Sequence, residues 1–280
     1  MRRRYLIGIG PGKSGSTWLY SFFNSSSEIC CSNVKETGYF SRQSDVVEAE
    51  YLNKYFRNRG SKSIFCEVSN TYIYDPAVTD RFKCLEAKVD LVAVLRDPVE
   101  RAISHVHQLI RNGERFDSFE SALHKRPDIL ARGLYVNYLN NYLDLPSNVS
   151  LHIFCFDELA TTEEIFKARL LNTLGLDPSA FQRVKTSRFP RSAPRSRLLA
   201  ILVKKAALTL RQLGFTSLIQ RVKNSSIPAL LYAPTTQDQE LAPKPDTLIF
   251  MRKFFYLADR ELGRQWGVDV SQWQSQADGE

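Results

Sequence analysis

The stretch Tyr5-Leu6-Ile7-Gly8-Ile9-Gly10-Pro11-Gly12-Lys13-Ser14-Gly15-Ser16-Thr17-Trp18-Leu19 constrains the fold more than any other. A short apolar run reads as a buried strand, the small residues after it as a turn, and the next residues as a helix start. In such a turn, successive backbone N–H groups converge on an anion. Ser14, Ser16 and Thr17 add hydroxyl donors, the helix presents its positive end, and Lys13 brings a mobile charge. The stretch predicts a phosphate cradle at the end of a strand in an α/β fold. An ATP-binding P-loop requires glycine six residues before the lysine and another immediately before it. Gly12 meets the second requirement, but Ile7 stands at the first position, so this shorter loop suits a single terminal 5′-phosphate. An ordinary strand-to-helix turn has the same composition, and a second motif has to decide.

That motif is the apolar run from Val89 to Leu95 followed by Arg96-Asp97-Pro98 and a helical pattern through Ser104. It reads as a second central parallel strand running into a helix. Asp97 is placed to cap that helix, and Pro98 fits its first turn, where a missing N–H costs nothing. Arg96 then stands at a strand's carboxyl end, where open α/β sheets bind ligands. Ser104 lies two helical turns beyond Asp97, so an arginine fork and a hydroxyl can share one phosphate.

Together the two segments resemble the sulfotransferases that use 3′-phosphoadenosine 5′-phosphosulfate (PAPS) and release 3′-phosphoadenosine 5′-phosphate (PAP). The likeness is strongest to the glycan-modifying branch and its bacterial relatives. It implies a P-loop-like α/β fold with a central parallel sheet flanked by helices. It also implies that the loop Gly12, Lys13, Ser14, Gly15, Ser16, Thr17 and Trp18 holds the 5′-phosphosulfate, while Arg96 and Ser104 hold the 3′-phosphate. Lys35-Glu36-Thr37-Gly38-Tyr39-Phe40 is similar to the segment carrying that branch's catalytic carboxylate. By that resemblance Glu36 is the general base, Lys13 offsets charge on the bridging and leaving oxygens, and Lys35 lies on the acceptor side. Positioning and electrostatics dominate in phosphoryl transfer. A sulfuryl group carries less charge, so no metal clamp is expected. Cytosolic small-molecule sulfotransferases use a histidine base instead, and His105, His107, His124 and His152 stand in no matching motif.

Cys66-Glu67-Val68-Ser69-Asn70-Thr71-Tyr72 resembles the acceptor-side segment, with Glu67 and Ser69 as substrate-binding candidates. Glu67 either lines the acceptor site or satisfies buried polar groups. The family's usual lysine and proline are here Val68 and Asn70, which argues against a heavily charged glycan. Arg132-Gly133-Leu134-Tyr135 is similar to the element that closes over cofactor or acceptor, and Tyr135 is credited with that role. Ser150 to Leu159 reads as a further core strand before a helix capped near Thr162. Arg191, Arg195 and a basic-apolar stretch around Lys204 and Lys205 mark a helical insertion over about residues 191–240. By the resemblance, either Arg191 or Arg195 closes on the 3′-phosphate; a basic amphipathic helix also suits an anionic membrane surface. Phe250, Phe254, Leu257 and Leu262 read as the apolar face of a late helix, and Trp266 to Trp273 resembles the family's ending.

The 280 residues, 43% of them hydrophobic, suit one α/β domain with that insertion. The excess of 38 basic over 30 acidic residues favours a polyanionic cofactor through general steering. The arginines are spread among motifs, unlike a nucleic-acid module. Five cysteines make no paired framework, so buried free thiols are expected at Cys66, Cys84 and Cys155. The apolar run after the first arginines is too short for a signal or anchor, which points to a cytoplasmic enzyme. The acceptor implied is a hydroxyl on a carbohydrate or glycolipid. Two rivals are a magnesium-dependent nucleotide kinase, disfavoured by Ile7, and a non-catalytic nucleotide-binding protein that would need no base.

Overall fold

A computed structural model describes residues 3–43, 45–182, 192–194, 206, 232–234 and 241–274. The first apolar run forms strand β1 (Arg4–Gly10), and the second forms β4 (Lys88–Leu95). With β2 (Ile29–Cys31), β3 (Ile64–Val68) and β5 (Val149–Cys155) they make one sheet ordered β2-β3-β1-β4-β5, every pairing parallel. The two phosphate-type motifs thus leave adjacent central strands.

Strand side chains alternate between faces, and each face of β1 feeds a separate core. Tyr5, Ile7 and Ile9 join Leu91, Ala93 and Leu95 under helix α3 (Glu48–Tyr55) and helix α8 (Tyr135–Leu139). Leu6 joins Val68, Val92 and Val94 under α1 (Ser16–Asn24) and α10 (Glu163–Leu174). Burial on both faces is what makes these strands read as continuous apolar runs. The other helices before β5 are α2 (Tyr39–Arg42), α4 (Ala77–Phe82), α5 (Pro98–Arg111), α6 (Phe119–Lys125) and α7 (Asp128–Ala131). Inside the sheet, Asp90 is buried between Arg4 and His152, 2.7 and 2.9 Å away. Burial alone would raise its pKa, but the hydrogen bonds from His152 and Arg4 outweigh that and hold the carboxyl below its usual range.

Two compact units divide the chain. One comprises Met1–Pro98, Leu134–Thr186 and Phe255–Glu280 and holds the whole sheet; the other comprises Val99–Gly133 and Ser187–Phe254. In the second unit Arg101 is buried and donates to the Ile129 carbonyl, with His105 Nδ1 at 3.4 Å. Burial, with Arg101 and Arg132 beside it, pushes His105 down to about 4. Glu120 accepts from the Lys244 amide and the Thr247 hydroxyl. A short antiparallel pair, β6 (Ser192–Pro194) with β7 (Tyr232–Pro234), also belongs to this unit.

Four sequence expectations need correction. The fifth strand ends at Cys155, and Phe156–Thr161 form helix α9, because Phe156 and Asp157 are recruited into packing described below. Helix α10 starts after Thr162, but the Thr162 side chain makes no cap bond. In the late helix α11 (Pro245–Trp266) the buried residues are Met251, Phe255, Asp259 and Leu262, whereas Phe250, Phe254 and Leu257 are exposed. The inward row therefore runs from Met251 rather than from Phe250. Cys84, in the turn after α4, is exposed and Cys155 half-buried; all five cysteines are free thiols. Among the described residues no helix is long and apolar enough to cross a membrane.

Candidate active site at the strand ends

β1 stops at Gly10, and the loop to α1 begins against the segment that follows β3. Gly10 has φ +106°, and a Cβ there would overlap the Asn70 carbonyl oxygen. Any side chain needs both an unfavourable backbone and a displaced neighbouring strand end. Gly10→Ala is expected to destabilise the protein by on the order of 2 kcal/mol or more, lowering Tm in a thermal melt. An unchanged Tm would show that the loop is not held by this contact.

Lys13 sits in the left-handed region with φ 76°, and Gly15, with φ 83°, caps α1. The first intrahelical bond runs from the Leu19 amide to the Gly15 carbonyl. The amides of the first helical turn, from Ser16 to Trp18, are therefore the ones a helix start leaves without intrahelical acceptors. Ser14 is buried, and its Oγ has no hydrogen-bond partner among the described residues. A buried hydroxyl without a partner is costly unless a ligand completes it. The Trp18 ring turns away from the loop, stacking on Phe22 at 4.9 Å with its indole N–H 3.3 Å from Glu163 Oε1.

Arg96 follows β4 directly. Its Nη1 lies 3.4 Å from the Lys13 carbonyl oxygen, and its guanidinium stands 5.2 Å above the Phe156 ring. A Cβ on Gly15 would come within 2.8 Å of that ring. Phe156 thus fills the space between loop and arginine. The Arg96 carbonyl accepts from the Tyr135 hydroxyl at 2.7 Å. Next to it, the Asp97 amide donates to Asp157 Oδ2 at 3.4 Å, and the same oxygen accepts from Trp273 Nε1 at 2.7 Å. Trp273, on the short last helix α12 (Ser271–Gln274), therefore buttresses the arginine turn.

Glu36 leaves the chain after β2, with its amide donating to the Val68 carbonyl at 2.9 Å. Its φ is 63°, again left-handed. Its Oε1 accepts from Lys35 Nζ and from Asn70 Nδ2, each at 2.9 Å, and Lys35 Nζ also reaches Ser16 Oγ at 3.2 Å. The Glu36 side chain is 38% exposed, while Lys35 is 18% exposed. Phosphate loop and carboxylate are therefore linked through Ser16, Lys35, Glu36 and Asn70. Beneath them Glu67 is fully buried and accepts from the hydroxyls of Thr37, Ser69 and Tyr72. Burial raises the Glu67 carboxyl above its usual range, opposed by these hydroxyl donors. Ser69 Oγ also accepts from the Gly38 amide at 3.0 Å.

Lys13, Ser14, Ser16, Lys35, Glu36 and Arg96 thus gather beyond the carboxyl ends of β1, β3 and β4, where open parallel sheets bind ligands. Glu67 and Ser69 lie beneath that cluster as buried supports. Ser104 is half-buried on α5 in the second unit. Arg191 and Arg195 lie outside the described residues. Asn70 and Phe156 belong to the cluster although no motif in the sequence gives either of them a role. The hint at Asn70 was its departure from the expected proline.

An all-parallel sheet carrying an anion loop and an arginine turn on adjacent strands defines an α/β protein with a cradle for anionic groups at its strand ends. Residues 4–179 match the family model described as a sulfotransferase domain, and the chain belongs to the sulfotransferase family. PAPS is that family's sulfuryl donor. Membrane-associated sulfotransferase kil1 of Dictyostelium discoideum is 31% identical over 133 residues, covering 44% of this chain and 28% of that protein. The alignment spans little more than a quarter of that relative. The crystal structure of a sulfotransferase from Alicyclobacillus acidocaldarius superimposes with a TM-score of 0.66 at 18% identity, covering 98% of this chain and 99% of that one. The fold is thus that of a sulfotransferase.

Proposed function

We propose that the chain carries the sulfuryl group of PAPS to a hydroxyl of a carbohydrate or glycolipid, with Glu36 as general base and Lys13 as the cation beside the departing oxygen. The observation that carries this reading is backbone strain. Among the described residues, Lys13 and Glu36 are the two non-glycine residues with left-handed φ. Such conformations cost about 1–3 kcal/mol each and persist where the surroundings over-determine them, typically at functional sites.

The residues present suit the donor. The buried Ser14 hydroxyl, partnerless among the described residues, lies in the loop between Lys13 and the start of α1, so an anion held there completes its hydrogen bonding. Gly12 to Thr17 and the Trp18 amide would hold the 5′-phosphosulfate, and Arg96 the 3′-phosphate. Bound PAPS supplies a sulfuryl group already joined to a good leaving group. Glu36 then has to remove the acceptor's proton, and Lys13 to offset charge on the oxygen left behind. Glu67 and Ser69 support the turn at Thr37 and Gly38 from below. Val68 is buried where the glycan branch usually has lysine, which favours a weakly charged acceptor.

Calorimetry tests the donor. PAP is expected to bind without metal and more tightly than 5′-AMP, which lacks the 3′-phosphate. A preference for ATP with Mg²⁺ would defeat the assignment. A panel of 4-nitrophenyl glycosides with PAPS, read as PAP formed, then tests the acceptor class; PAP formation with lipid or phenol hydroxyls alone would remove carbohydrate.

A further inference from the structure

We infer that Asn70 is the positioning residue of this chain's base, holding the Glu36 carboxylate by one oxygen so that the other faces the acceptor. This rests on the reading of Glu36 as general base.

Lys35 Nζ and Asn70 Nδ2 converge on the same oxygen, Oε1, while Oε2 takes no bond among the described residues. Two donors on one oxygen fix the carboxylate's rotation and leave a lone pair of the other for a proton. The two donors differ in what holds them. An ammonium on a four-carbon stem is a mobile point charge, and Lys35 divides its bonding between Glu36 and Ser16. Asn70 is short, and its backbone is pinned. The preceding amide, of Ser69, donates to the Gly8 carbonyl at 2.8 Å, extending β3 along β1. Its carbonyl leaves no room for a Cβ on Gly10, and its side chain lies alongside Gly12, whose Cβ would stand 3.5 Å from Nδ2. Glu36 hangs from the same strand end through its amide bond to Val68. The amide that aims the base is therefore referenced to the sheet and to the phosphate loop together. A proline at this position, as in the glycan branch, has no side-chain donor to do this.

The test compares Asn70→Ala, Asn70→Asp, Glu36→Gln and the double variant Asn70→Ala/Glu36→Gln in the full chain. PAP formed from PAPS with a panel of 4-nitrophenyl glycosides and water as acceptors is measured beside PAP affinity by calorimetry. Asn70→Ala is expected to lower the PAP formation rate by about 10- to 100-fold, the effect of misplacing a catalytic group by about 1 Å, with PAP affinity unchanged. Asn70→Asp, close in shape but a carboxylate facing a carboxylate, is expected to fall at least as far. In the Glu36→Gln background the alanine change is expected to add nothing, because residues acting as a unit are not additive. Wild-type rates in both Asn70 variants beside an inactive Glu36→Gln would overturn the inference and leave the base standing. So would a parallel loss of PAP affinity, or a full additional loss in the double variant, since either marks a merely structural strut. An active Glu36→Gln would instead remove the base itself.

Discussion

Glu36→Gln is expected to bind PAP as the parent does and to form PAP from PAPS more slowly by a factor of about 10² to 10⁴, the range of a general base. Glutamine keeps the length of the side chain and an oxygen for Lys35 Nζ and Asn70 Nδ2, so the link to Ser16 survives in outline. What it loses is the capacity to take a proton. The Glu36 carboxylate is bonded to Lys35 and Asn70, neither of which is assigned to the 3′-phosphate, which is why affinity and rate should separate. The pair of measurements is turnover with saturating PAPS and a calorimetric titration with PAP. Unchanged turnover would take Glu36 out of the mechanism, and a matching loss of affinity would make it a cofactor ligand.

Arg96→Ala is expected to weaken PAP binding by roughly 100-fold, since a charge-assisted bond to a phosphate contributes about 1.5–3 kcal/mol and a bidentate fork more than one such bond. The position of the side chain is set by its surroundings: Phe156 below the guanidinium, the Lys13 carbonyl beside it, and Tyr135 holding its backbone. Affinity for 5′-AMP, which has no 3′-phosphate, is expected to change little. That contrast separates loss of a phosphate ligand from collapse of the turn, in which both would weaken. Equal affinity of variant and parent for PAP would overturn the assignment of Arg96 to the 3′-phosphate. Arg96→Lys is expected to recover only part of the loss, because a point charge cannot reproduce the fork.

Much of this site could be read in the chain because its chemistry is local. A strand, a glycine turn and a helix start follow one another between Tyr5 and Leu19, and Arg96-Asp97-Pro98 follows β4 without interruption, so spacing along the sequence equals spacing along an element. Asn70 and Phe156 could not be read that way. Their roles depend on which strand lies beside which: Asn70 reaches Glu36 only because β3 separates β2 from β1, and Phe156 reaches Gly15 only because α9 begins where β5 ends. Glu67 was ambiguous for a similar reason. A carboxylate in a motif reads as chemistry until its oxygens are seen surrounded by three hydroxyls in the core. On α11 the period was legible and the phase was not, because a helix with apolar residues at Phe250, Met251, Phe254 and Phe255 offers two candidate inward rows.

The close packing of Gly10 against Asn70 also bears on motion. The loop after β1 and the Asn70 turn after β3 are borne on neighbouring strands whose ends leave no room between them for even a methyl group. Packed so tightly, they cannot part without breaking the sheet, and interiors packed in this way do not deform continuously. The backbones of Gly10 and Asn70 are therefore expected to keep one separation while the site binds and releases its ligands. Opening that admits and releases a nucleotide is then expected away from this contact, and so is the step that paces turnover where release limits it.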